Sequence, residues 1–219
     1  MKTIMQLFIS LLFLCFFSSN LWALESTQTI NENGQVVETF YTNADPHLIA
    51  LSGGPTALLQ PFPTSVQYLI EPNVADGLAV LAKVTDNSGD VVGFAAELEH
   101  FTVDATGNLT AAVDWIFKVP GRGTLMVTQT ESPAMLVSIV QDMAANGETE
   151  RYIDPPIKVQ TTVPGTGRVV SGVGEFEGLT GTFKEYNEFT YMNIANGTIG
   201  VNLTLEITYD DNNENNNNQ

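Results

Sequence analysis

Two histidines, one cysteine and a set of carboxylates on strand-like segments are the groups in this chain suited to acid–base or metal chemistry. His100 closes the run Glu97-Leu98-Glu99-His100. On an extended segment it shares a face with Phe94, Ala96 and Leu98, while Glu97 and Glu99 point the other way. If that apolar face lines a cavity, His100 is a candidate acid–base group near neutral pH. The alternative is a buried or rim histidine with a structural partner. Trp115 and Phe117, together on the next segment, are candidates with Phe94 to line a ligand, the alternative being core packing. Glu97, Glu99, Asp114, Glu185 and Glu188 form a carboxylate set. Two carboxyls at suitable separation serve as acid and base in glycoside hydrolysis. In an acidic chain the ordinary reading is a solvated outer surface, although the face of Glu97 and Glu99 also holds Ala95, Phe101 and Val103.

No metal site is expected. The lone Cys15 and the pair His47 and His100 exclude cysteine- and histidine-rich centres, and the Asn-rich C-terminus lacks calcium-loop spacing. No G-x-S-x-G, H-E-x-x-H or P-loop sequence occurs.

The elements that would position these groups are strands. Leu109, Ala111, Val113, Trp115, Phe117 and Val119 share one face of a cleanly alternating segment. Pro120-Gly121 turns the chain into a returning strand over 122–130. Further strands are expected at 35–43, 65–71, 77–85, 91–104, 157–163, 181–192 and 198–209, with a short one near 47–51. The segment 45–63 reads as a long Pro- and Gly-rich loop. One helix is expected over 133–146, with Ser132 as cap, Pro133 at its first position, Gly147 at its end and Met135, Ile139 and Met143 on its buried stripe. The pattern is all-β, and alternation alone leaves sandwich and barrel open.

The N-terminus reads as a secretory signal peptide over 1–23: Lys2, an apolar run from Leu7 to Phe17, and small Ala23 before the cut. Residues 24–34 form a loose arm, 35–209 a single domain and 210–219 a disordered tail. Export to a secreted, periplasmic or extracellular location without membrane insertion follows, and the mature chain carries no cysteine. Its 25 acidic residues stand against 7 basic ones, the 8 of the whole chain less Lys2. Nucleic acid is excluded as a partner by that charge. Three sequons, at Asn108, Asn196 and Asn202, matter only in a glycosylating host.

Gly172-Val173-Gly174-Glu175-Phe176-Glu177-Gly178-Leu179-Thr180-Gly181-Thr182-Phe183-Lys184 resembles the Gly-rich motif of allene oxide cyclases, dirigent proteins and related exported bacterial proteins. Ile116 to Leu125 resembles the hairpin of the same family, and the likeness spans roughly 78–209. It implies an eight-stranded antiparallel barrel, assembled as a dimer or trimer, with no metal or organic cofactor. Its apolar lumen would hold a hydrophobic small molecule and guide its cyclisation or isomerisation. Under the resemblance Glu38 stands where an early-strand carboxylate is expected and joins His100 as a catalytic candidate. Phe40 occupies the position of an expected asparagine, and residues 132–156 form an insertion.

The expectation is therefore an eight-stranded antiparallel β-barrel with one short helix, binding a hydrophobic small molecule. A non-enzymatic secreted scaffold is the alternative, and a polysaccharide-binding sandwich the third. A barrel filled by Trp115, Phe117, Phe183 and Met126 would favour the scaffold.

Overall fold

The computed structural model describes residues 27–43, 49–53, 77–103, 108–195 and 198–210. The expected strand at 65–71 and the turn at 106–108, apart from Asn108, lie outside them. Among the described residues, eleven strands and one helix follow in the order β1 Gln28–Ile30, β2 Val36–Asn43, β3 Ile49–Gly53, β4 Gly77–Thr85, β5 Val91–Val103, β6 Leu109–Val119, β7 Gly123–Glu131, α1 Ala134–Ala145, β8 Glu150–Gln160, β9 Arg168–Gly174, β10 Gly181–Asn193 and β11 Thr198–Tyr209. Eight of them, in the order β2-β11-β10-β9-β7-β6-β5-β4, close into an antiparallel barrel when Tyr41 of β2 pairs with Thr85 of β4. Closure removes the exposed edges that a sheet of this width would otherwise present.

Long alternating strands joined by tight turns produce this closure. In β6, Ala111, Val113, Trp115, Phe117 and Val119 are all buried, as the period of two predicts. Leu203, Leu205, Ile207 and Tyr209 do the same for β11. Phe117 is the centre of the midsection: its ring stands 5.2 Å from Phe40, 5.9 Å from Trp115 and 6.4 Å from Phe183. Of the residues that would fill the barrel, Trp115, Phe117 and Phe183 are buried, whereas Met126 alternates with buried Leu125 and Val127 and is only half-buried.

The Gly-rich motif has a specific mechanical role. Gly174, at a φ of +73°, ends β9 and lets the chain turn back so that Phe176 becomes fully buried. A side chain at Gly172 would strike the backbone carbonyl and Cβ of Phe176. Gly172→Ala is therefore expected to cost about 1–3 kcal/mol, read from the urea midpoint, and a loss below about 0.5 kcal/mol would contradict this packing.

Two local expectations need correction. Ser132 makes no capping hydrogen bond to α1; Pro133 stands at the cap position itself. The C-terminus behaves as expected, with Gly147 at a φ of +69° and its N–H donating to the Ala144 carbonyl while Glu148 donates to Met143. The polar arm also carries β1, which pairs with β2 from Gln28 opposite Glu38.

The insertion over 132–156 is half helix and half strand. β8 begins at Glu150 rather than 157 and pairs with the distal part of β10, from Tyr186 to Asn193. Ile139 and Met143 of α1 pack on Ile153, Phe189 and Met192 in a second small core. Phe189 shares the inner face of β10 with Glu185 and Asn187, so α1 stands beside one end of the barrel.

Candidate functional site

The interior has a polar cluster on each side of the aromatic midsection. Toward the β6–β7 turn, Glu38 is fully buried and ion-paired to Arg122, whose Nη1 and Nη2 donate to its two carboxylate oxygens. Tyr209 donates to Glu38 Oε2 at 2.7 Å and Thr27 to Oε1 at 3.0 Å. Arg122 Nε donates to Glu175 at 2.9 Å, and the guanidinium lies 4.8 Å over the Phe176 ring. Burial opposes the Arg122 charge, but hydrogen bonds and charge from Glu38 outweigh it and raise its pKa. Burial, reinforced by the Glu38 charge, raises Tyr209. This end is a charge-paired cluster in which Glu38 already accepts four donors.

The opposite end is built differently. Glu97 and Glu99 alternate on β5, Glu131 ends β7, and Glu185 lies on the inner face of β10. Glu97, Glu131 and Glu185 are buried, and Glu99 is half-buried. Their donors are neutral. Trp115 Nε1 donates to Glu185 Oε2 at 2.9 Å. Gln129 Nε2 donates to that same oxygen at 2.7 Å and to Glu131 Oε1 at 2.6 Å. Thr161 donates to Glu131 Oε1 at 3.0 Å. Thr162 accepts from the Glu185 N–H and donates to Gln129 Oε1, which turns the Gln129 amide nitrogen toward the carboxyls.

Proton affinity follows from this environment. Burial, then the neighbouring charges of Glu99, Glu185 and Glu131, hold Glu97 well above the usual carboxyl range. Burial and then the Glu185 charge push Glu99 up to about 8. Glu131 is raised well above its ordinary value by burial and then by Glu185. Burial raises Glu185 as well, against the lowering effect of its hydrogen bonds to Glu131, Trp115 and Gln129. Glu97 and Glu99, and likewise Glu131 and Glu185, are neighbouring carboxyl pairs in which each charge opposes the other, so protonation of one member of each pair is favoured. Among the described residues, two buried side-chain oxygens have no hydrogen-bond partner: Glu97 Oε1 and Asn187 Oδ1. Such a cluster can hold protons, accept donors from a bound molecule, or bind a hard cation.

The sequence-predicted site residues divide between these surroundings. Trp115 and Phe117 are fully buried, Trp115 touching the carboxyl cluster and Phe117 at the midsection. Glu38 lies in the opposite cluster, so the barrel does not bring it to His100. His100 and Phe94 lie on the outer face, with Phe94 52% exposed. Neither lines the interior, and the expected orientation of β5 is inverted. Apolar residues occupy both faces of β5, so its alternation is ambiguous. The face chosen by burial is the one holding Gly93, Ala95 and Glu97, because Ala95 and Glu97 sit beside inward Phe117 and Trp115 in the register. The outer-surface reading fails for Glu97 and Glu185, which are both buried. Glu131, Gln129, Thr161, Thr162, Arg122 and Tyr209 were not singled out from sequence. The available signal was alternation: Gln129 and Glu131 continue the inward series Leu125 and Val127.

No family model matches this chain, and no curated protein matches it. Among solved structures, the chain is similar to a nonspecific heme-binding cyclase that catalyses (4 + 2) cycloaddition during neoabyssomicin biosynthesis, with a TM-score of 0.46 and 8% identity, covering 80% of this chain and 64% of that one. The chain thus spans less than two thirds of the cyclase. It is also similar to pyocyanin demethylase, with a TM-score of 0.38 and 11% identity, covering 80% of this chain and 99% of that one. Likeness of this degree carries no information about chemistry.

Proposed function

We propose that this chain is an exported small-molecule-binding barrel, akin to the allene oxide cyclase and dirigent barrels, whose ligand binds at the carboxyl end. The observation that carries this reading is a buried, unpartnered acceptor, Glu97 Oε1, on the residue opposite Trp115 in the register, with Asn187 Oδ1 on β10 a second. A buried acceptor without a donor costs about 1–3 kcal/mol, and a bound molecule that supplies the missing donor relieves that cost. The complementary ligand has an apolar body and an N–H, O–H or cationic pole. Held rigidly by strands, it would be confined to one reactive conformer, which is how such a barrel favours a cyclisation or isomerisation.

The filled midsection favours a second reading, a non-enzymatic scaffold. Leu81, Phe94, Leu98 and Ile116 form an exposed apolar strip across β4, β5 and β6, suited to contact with a second copy as dimer or trimer. One titration separates the two readings. The mature protein is exposed to fatty-acid, phenolic and amphipathic amine probes, following Trp115 fluorescence and the native mass. The binding reading expects one probe class bound stoichiometrically, weakened about tenfold or more by Glu97→Gln and unchanged by Phe94→Ser. No uptake by any probe, with an oligomer dispersed by Phe94→Ser, would replace it with the scaffold.

A further inference from the structure

The carboxyl end also has the makings of a cation site. One oxygen from each of Glu97, Glu99 and Glu131 lies within 4.8 Å of the others. Calcium binds oxygen at about 2.3–2.6 Å, so two of its ligands stand at most about 5 Å apart. Three oxygens at that limit stand about 2.8 Å from their common centre, so small side-chain rotations, with the strands in place, bring all three carboxyls onto one calcium ion. Magnesium, at about 2.0–2.1 Å and strictly octahedral, would need the cluster to contract. The second observation is independent of this spacing: Glu97 Oε1 is buried with no partner, on a residue only 3% exposed. Asn187 Oδ1, on β10, is a second unpartnered oxygen. A donor set made wholly of oxygen selects a hard cation over zinc or copper.

We propose that Glu97, Glu99 and Glu131 form a divalent-cation site that takes calcium. This rests on the reading that the carboxyl end is the ligand end, and it names a ligand for it. It departs from the metal-free expectation drawn from sequence, which weighed cysteine, histidine and calcium-loop patterns but no centre assembled across strands. Glu97 and Glu99 sit two residues apart on β5 and Glu131 ends β7, so the site is carried on rigid elements. Glu185 is a positioning residue. Trp115 and Gln129 hold it, and Gln129 donates to Glu131 as well, which fixes the two carboxyls relative to each other.

The test uses the full mature chain, stripped with chelator and titrated calorimetrically with calcium chloride and then magnesium chloride. The expected result is one calcium per chain, preferred over magnesium, with affinity reduced about tenfold or more in Glu97→Gln and in Glu99→Gln and unchanged in Glu175→Gln. Because a variant can fail to fold, the wild-type chain is also titrated with manganese, watching the NMR signal of the Trp115 indole N–H. Selective broadening at one equivalent supports the site. Calcium binding that survives Glu97→Gln, or manganese that leaves the indole signal sharp, overturns it. Binding of an organic probe without calcium overturns the cation site and leaves the binding reading standing. Calcium binding without any organic probe does the reverse.

Discussion

In chelator, the protein is expected to be markedly more stable at pH 5 than at pH 8. The cause is the carboxyl cluster: Glu97 and Glu99 on β5, Glu131 on β7 and Glu185 on β10, acted on by one another and by neutral donors. Each has its folded pKa raised above the unfolded value. Below about pH 4.5 both states hold these protons, and the cluster carries no penalty. Above it the unfolded chain ionises while the fold keeps its protons, so the fold loses about 1.4 kcal/mol per pH unit for each such group. For Glu99 this loss runs up to about pH 8. Several kcal/mol are at stake, enough to lower Tm by roughly 10 °C or more in a chain of this size. Thermal unfolding across this range measures it. General repulsion in an acidic chain acts in the same direction, so Glu97→Gln is the control. It is expected to flatten the slope, and an unchanged slope would place the effect on the surface.

Removing the Arg122 side chain is expected to destabilise the barrel by about 3–5 kcal/mol, because Arg122→Met strands a buried carboxylate. Glu38 is fully buried and takes two of its four hydrogen bonds from Arg122. The same change removes the cation over Phe176 and the bond to Glu175. Pairing it with Glu38→Gln should recover a large part of the loss, since the stranded charge is then gone. Urea denaturation of the two single variants and the double variant gives the coupling directly. A single-variant loss below about 1 kcal/mol would mean that the pair is hydrated rather than buried.

These two ends of the barrel were unequally legible in the sequence. The strands were readable because turns and alternation are local: β4 begins and ends as expected, and β6 and β11 bury the faces their patterns assign. The helix was readable for the same reason. β5 was not, because both its faces carry apolar residues and its two glutamates look like solvent-facing charge. Glu97 is enclosed because Trp115 stands opposite it on β6 and Glu131 and Glu185 approach from β7 and β10, and no local window contains that fact. Arg122 and Glu38 are 84 positions apart, so their pairing exists only once the barrel closes. Resemblance to a known barrel family pointed to Glu38 but not to the charge that neutralises it.

The central claim is that the carboxyl end is built around something it binds. A high-resolution crystal structure of the protein, purified from its own host without chelator, tests it most directly. The account predicts an ion or the polar pole of a small molecule in contact with Glu97 Oε1. An ordered protein donor on that oxygen, or a chain of water leading from it to bulk solvent, would contradict the account.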